Sequence, residues 1–155
     1  MCGIAGIISK KKTVGKSIIK HRLQKSLFHL AHRGPDAEGI YNRDNVWLGH
    51  KRLTILDLSK EANQPMCSKD KGYCITYNGE VYNYKELIEK YSICNLSTKC
   101  DTELVLELFV RKGYNCFKEL NGMYAFAIDN PKDNEICLVR DRLGIKPLYY
   151  YRNDD

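Results

Sequence analysis

Cys2 is the residue whose type and position carry the most chemistry. Removal of Met1 would place a thiol and a free α-amino group on one residue, a nucleophile with its base attached. An α-amine ionises near about 7.7–8.0 and a thiol near about 8.5, so around neutrality the amine is partly unprotonated and can take the thiol proton during attack. The competing reading of Cys2 is a small apolar residue opening a strand. His29 and His32 stand in an H-x-x-H spacing with His50 further on, which raises a metal site. No acidic or cysteine partner stands at zinc-like spacing, and a catalytic amine removes the need for a metal or a histidine base, so no metal is expected.

The elements that must position Cys2 follow from apolar periodicity. Cys2 to Ile8 reads as an apolar strand. From Val14, the residues Ile18, Ile19, Leu23, Leu27, Leu30 and Ala31 recur at helical spacing, predicting an amphipathic helix that ends near His32. Arg33-Gly34-Pro35-Asp36 stops it, because Pro35 disfavours helical geometry at Gly34 and Asp36 favours a turn. Short strands are expected at Gly39–Tyr41, Val46–Leu53 and Tyr73–Tyr77, and helices at Asn83–Tyr91 and Thr102–Lys112. Asp101 suits the N-cap of the second helix and Gly113 its end. Met123–Asp129 and Glu135–Asp141 flank an Asn-Pro-Lys-Asp-Asn turn as a β-hairpin, and Pro147–Tyr151 reads as one more strand. Hairpins interspersed with helices imply an α+β fold.

The 155 residues are 43% apolar and 28% charged, a profile of one compact globular domain, which at this size needs neither disulfides nor metal to hold together. The seven cysteines are odd in number and include no C-x-x-C pair, so neither a disulfide scaffold nor a zinc ribbon is indicated, and a reducing cytosol is expected. No apolar run approaches the roughly 20 residues that span a bilayer, and no basic leader opens the chain. A soluble, cytoplasmic protein is therefore expected. Lys and Arg exceed Asp and Glu by 25 to 19. The only dense basic cluster, Lys10-Lys11-Lys12, reads as a solvated face, and the tyrosines fall in strand-like runs, so neither nucleic acid nor membrane is an expected partner.

Several motifs follow one another in order: Cys2-Gly3-Ile4-Ala5-Gly6-Ile7, Arg33-Gly34-Pro35-Asp36, Gly49-His50-Lys51-Arg52-Leu53-Thr54-Ile55 and Asn63-Gln64-Pro65-Met66. They continue with Tyr77-Asn78-Gly79-Glu80-Val81-Tyr82-Asn83, Asp101-Thr102-Glu103, Asn121-Gly122-Met123-Tyr124-Ala125-Phe126-Ala127, and the run from Arg140 through Leu143-Gly144-Ile145-Lys146-Pro147-Leu148 to Tyr149. Together these closely resemble the glutaminase domain of glutamine-hydrolysing asparagine synthetases, within the type 2 glutamine amidotransferases. The resemblance runs from Cys2 to about Tyr150 and assigns residues 2–155 to that domain, with its C-terminal part incomplete. It implies an N-terminal nucleophile hydrolase fold, an αββα sandwich of antiparallel sheets, and hydrolysis of glutamine to glutamate and ammonia.

Carried over position by position, the resemblance makes Cys2 the nucleophile and Asn78 and Gly79 the oxyanion hole. A side-chain amide and a backbone N–H can both point at a developing O⁻, although Asn-Gly is also the favoured pair of a type I′ hairpin turn. Arg52 falls at the fork for the α-carboxylate of glutamine, with a surface ion pair as its other reading. Glu80 and Asp101 fall at the carboxylates for the α-ammonium, and Leu53-Thr54-Ile55-Leu56 at a strand lining the pocket with backbone groups. Arg33 and Asp36 are expected to hold the turn beside the site. L-glutamine is the implied substrate, and a synthetase domain, in cis or trans, the implied consumer of ammonia, ATP and Mg²⁺ being needed only there. A homodimer, a sugar amidotransferase with the same glutaminase half, and a non-catalytic fragment are the alternatives that remain open.

Overall fold

A computed structural model describes residues 1–9, 14–55, 57–69 and 72–153. Strands β1 (Gly3–Ile8), β2 (Ala37–Arg43) and β3 (Val46–Arg52) form an antiparallel sheet in the order β1-β3-β2. Strands β4 (Met66–Cys67), β5 (Cys74–Val81), β6 (Gly122–Asn130) and β7 (Glu135–Arg140) form a second antiparallel sheet in that sequence order. The helices are α1 (Lys16–His29), α2 (Tyr84–Lys90) and α3 (Asp101–Lys112). The α+β expectation is met, with two antiparallel sheets.

The period of two along each strand sorts side chains between two environments. On β5 and β6, Ile75, Tyr77, Val81, Tyr124, Phe126 and Ile128 pack into a core with Leu104, Val105 and Leu108 of α3 and Leu87 of α2. Ile19, Leu23 and Leu27 of α1 pack on Trp47 of β3. Gly49 is small because α1 lies against it: a Cβ there would stand 2.9 Å from Leu27 Cδ1. The opposite faces of the two sheets meet each other, with Val46, Leu48 and Ala127 forming an apolar cluster between them.

Polar contacts also cross between the sheets. Asp129 is fully buried and takes two hydrogen bonds from the Arg43 guanidinium, at 2.7 and 2.6 Å, and one from the Tyr41 hydroxyl at 2.9 Å. Thr76 Oγ1 donates to the Gly49 carbonyl at 3.0 Å. His50 Nε2 meets the Tyr77 carbonyl at 3.1 Å, so that nitrogen carries the proton, and Nδ1 has no hydrogen-bond partner among the described residues.

Four expectations are corrected. Pro147–Tyr151 is not a strand: it pairs with no strand among the described residues, and Tyr149, Tyr150 and Tyr151 are exposed. β5 continues past Tyr77 to Val81, because Asn78, Gly79, Glu80 and Val81 pair with Ala125, Tyr124, Met123 and Gly122. The residue at the N-cap of α3 is Cys100, and the Asp101 carboxylate accepts the Tyr77 hydroxyl and the Val81 N–H. Cys67 and Cys74 face each other across β4 and β5, with Cα atoms 4.0 Å apart, and are joined as a disulfide that cysteine spacing did not signal. The Lys10-Lys11-Lys12 cluster lies outside the described residues.

Candidate active site

Cys2 sits immediately before β1, whose pairing with β3 brings it to the end of that strand. Its Sγ lies 3.4 Å from the Leu53 N–H, which donates to it, and 3.7 Å from the Leu53 carbonyl. A thiolate at this position would therefore gain one backbone donor. The Arg33-Gly34-Pro35-Asp36 turn holds both strand ends in place. Arg33 Nε donates to the Cys2 carbonyl at 3.1 Å, and Asp36 Oδ2 accepts the Thr54 N–H at 2.7 Å. Gly34 is required by close approach, since a Cβ there would stand 2.4 Å from the Lys51 carbonyl oxygen. The Thr54 hydrogen bond holds the Asp36 carboxyl below its ordinary range.

The edge of β5 beyond β4 presents backbone donors to this region. Alternate residues of a strand point their N–H groups to the same side, so those of Tyr77, Gly79 and Val81 share one edge. The Tyr77 N–H goes to Gln64 Oε1 at 2.7 Å, and the Val81 N–H to Asp101 Oδ2 at 2.7 Å. Between them lies Gly79. Its partner on β6, Tyr124, spends its own N–H and carbonyl on Asp141, at 3.2 and 2.8 Å, so this pair exchanges no ladder bonds. The Gly79 N–H is thus a free donor, among the described residues, on an otherwise occupied edge. A Cβ at Gly79 would stand 2.4 Å from the Met123 carbonyl oxygen, which excludes other residues from the position. Asn78 is buried, and its side-chain amide makes no hydrogen bond among the described residues. The pair lies in mid-strand and forms no hairpin turn.

Arg52 ends β3 and is buried, which overturns the surface ion-pair reading. Its guanidinium donates to the carbonyls of Asp57 and Ser59 and to Asn63 Oδ1, the latter two at 2.7 and 2.6 Å. Nε–H and one Nη2–H stay unengaged among the described residues, enough for a bidentate carboxylate. The Asp57 carboxylate accepts the Lys99 N–H at 2.8 Å and is held down at about 2 by that bond and by Ser59, which ties the loop after β3 to the start of α3. Asp101 Oδ2 also accepts the Tyr77 hydroxyl at 2.6 Å, and burial pushes this carboxyl up despite those donors. Cys2, Arg52, Asn78, Gly79, Glu80 and Asp101 line one cavity of about 120 Å³. A thiol, free amide and backbone donors, a planar cation and two carboxylates around one small space suit attack on the carbonyl of an amino-acid side chain.

A sequence profile described as the glutamine amidotransferase domain matches residues 1–155. The chain belongs to this family. Among curated relatives, an Escherichia coli protein named asparagine synthetase B [glutamine-hydrolyzing] is 38% identical over 96% of the chain and 26% of its own length. A Bacillus subtilis protein named asparagine synthetase [glutamine-hydrolyzing] 1 is 34% identical over 100% of the chain and 25% of its own length. A Methanocaldococcus jannaschii protein assigned as a second such synthetase is 46% identical over 97% of the chain and 32% of its own length. The chain thus spans a quarter to a third of these relatives.

In this glutamine amidotransferase domain, the structure gathers most of the residues singled out from sequence and rearranges some. Leu53 and Ile55 line the cavity, but Thr54 does not: its N–H is held by Asp36, and the chain leaves β3 at Arg52, so these residues form no strand. Leu56 lies outside the described residues. Gln64, Tyr77, Thr102 and Lys146 also line the cavity, and sequence reasoning gave them no role. All four stood inside quoted motifs, which was the available signal. No helix among the described residues is long and apolar enough to cross a membrane.

Proposed function

We propose that this domain adopts the N-terminal nucleophile hydrolase arrangement and hydrolyses L-glutamine to glutamate and ammonia, with Cys2 as nucleophile. The observation that carries this reading is the Gly79 N–H beside the Asn78 amide, both without a hydrogen-bond partner among the described residues, in the cavity that also holds Cys2. With Met1 removed, the Cys2 α-amine takes the thiol proton as Sγ adds to the carboxamide carbon. The oxyanion forms between Asn78 Nδ2 and the Gly79 N–H. The intermediate collapses, the α-ammonium returns the proton to the departing nitrogen, and ammonia leaves a glutamyl thioester. Water, deprotonated by the same amine, hydrolyses the thioester to glutamate and restores the thiol. Arg52 takes the α-carboxylate, and Glu80 and Asp101 take the α-ammonium. No cofactor or metal enters these steps.

The names of the relatives support a further reading: the ammonia serves ATP- and Mg²⁺-dependent synthesis of asparagine from aspartate, in a synthetase domain joined in cis or acting in trans. A cytoplasmic setting suits that role. The test is direct. The purified chain should lose Met1 by intact mass, release ammonia from glutamine, and take up a glutamine-analogue electrophile on Cys2. Cys2→Ser should abolish most turnover, because the hydroxyl is the weaker nucleophile with this base. Hydrolysis by a chain that keeps Met1 would overturn the amine as base.

A further inference from the structure

Lys146 is the cation of the cavity that the reaction above leaves unused. It is 4% exposed, a burial that lysine rarely reaches without a carboxylate partner. No carboxylate forms an ion pair with it among the described residues, and its Nζ instead meets the Met1 sulfur at 2.6 Å. Its position is fixed from the backbone. Asp141, itself buried and bonded to the Tyr124 N–H of β6, accepts the N–H groups of Ile145 and Lys146, both at 2.9 Å. Arg140 Nε donates to the Lys146 carbonyl at 2.8 Å. The turn after β7 thus delivers one ammonium to the N-terminus and anchors it to the strand that pairs with Gly79.

We propose that Lys146 is a positioning residue for the base: once Met1 is removed, its ammonium faces the new Cys2 α-amine and holds that amine in its unprotonated, proton-accepting form. The proposal rests on the amine-base reading above. The contact with Met1 puts Nζ within one methionine side chain of Cys2 N. A cation near a second basic group disfavours that group's protonation, and at such a separation the effect is on the order of one pH unit. Other charges face the same place. Arg33, bonded to the Cys2 carbonyl, and Arg52 at the end of β3 act in the same direction as Lys146. Asp57, Glu80 and Asp101 oppose them. Asp57 and Asp101 already spend their charge on backbone or hydroxyl donors, whereas Glu80 has no partner among the described residues and is assigned to the substrate ammonium. Among the described residues, the Lys146 ammonium has one hydrogen-bond partner, and it belongs to the residue that processing removes.

The experiment is a carbon-13 NMR titration of Cys2, in processed chain labelled at cysteine, for wild type, Lys146→Met and Lys146→Arg. In the wild type, the α-amine should titrate about one unit below its ordinary value of about 7.7–8.0. Lys146→Met should return it toward that range, and Lys146→Arg should keep it low. The acid limb of kcat/KM for glutamine should move up by the same interval in Lys146→Met alone, so activity near pH 6.5 falls by about tenfold while activity near pH 9 is retained. Lys146→Gln serves the same purpose if Lys146→Met lacks a folded spectrum. A wild-type amine that titrates in the ordinary range overturns the proposal with no variant needed, as does a Lys146→Arg chain that behaves like Lys146→Met. A processed, active chain whose amine ignores Lys146 overturns this proposal alone, whereas a chain that keeps Met1 and still hydrolyses glutamine overturns the base with it.

Discussion

Asn78 and Arg52 would meet glutamine at different moments, and this separates their mutational signatures. The Asn78 amide gains most when charge develops on the carbonyl oxygen, so Asn78→Ala should lower kcat by about 10²–10³ and leave KM nearly unchanged. Arg52 would hold the α-carboxylate in ground state and transition state alike, so Arg52→Ala should act chiefly through KM. Steady-state ammonia release against glutamine concentration checks both. Equal losses of kcat with unchanged KM in the two variants would reject the assignments. Arg52 carries a second expectation, because it also organises the Asp57, Ser59 and Asn63 loop: Arg52→Lys cannot reproduce the fork and should fail to rescue affinity.

Among the elements, β3 joins Cys2 to the strand that carries Asn78 and Gly79. It pairs with β1 on one side, and its His50 crosses to the Tyr77 carbonyl of β5, one residue before Asn78. Burial pushes the His50 imidazole down to about 4 from an ordinary value of 6.5. Between those two values the unfolded chain binds a proton that the folded chain refuses, so this group makes stability fall as pH drops from 6.5 toward 4. The loss should reach about 2 kcal/mol between about pH 7 and 5. His50→Gln keeps a donor for Tyr77 and cannot titrate, so it should flatten that slope. Urea unfolding at the two pH values reads the difference, and a wild-type slope in the variant would show that the protonation lies elsewhere.

For the whole molecule, the two sheets are locked by the buried Asp129 and its Arg43 and Tyr41 donors. Arg43→Ala would strand a carboxylate that is fully buried, and should cost about 3–5 kcal/mol of unfolding free energy by denaturant titration. The exposed Glu107–Arg111 pair on α3 is the control, with an expected loss within about 1 kcal/mol for Arg111→Ala. The assembled domain should release ammonia from glutamine yet form no asparagine when given aspartate, ATP and Mg²⁺, because no Gly-rich phosphate loop occurs in its 155 residues. Amino-acid analysis of the reaction mixture decides this, and asparagine formation by this chain alone would overturn it.

Sequence alone determined the elements whose signals are local: β1, α1, α2, α3 and the β6–β7 hairpin follow from apolar period and turn residues, and the ordered motifs named the family. It also picked out Cys2, Arg52, Asn78, Gly79, Glu80 and Asp101, which tertiary structure then gathered around one cavity. Only the tertiary structure decided what those residues do with their hydrogen bonds. Asn-Gly favours a turn in isolation, yet pairing with Ala125 and Tyr124 keeps it extended, because register with a strand more than 40 residues away outweighs local preference. The same holds for Asp101, a plausible helix cap in sequence, whose carboxylate is claimed by Tyr77 and Val81 across the core. The Cys67–Cys74 bond, the β4 edge and Lys146 beside Met1 were illegible for one reason. Each depends on which segments meet in the fold, whether 7 residues apart as Cys67 and Cys74 are or 145 apart as Met1 and Lys146 are, and spacing along the chain carries no record of that.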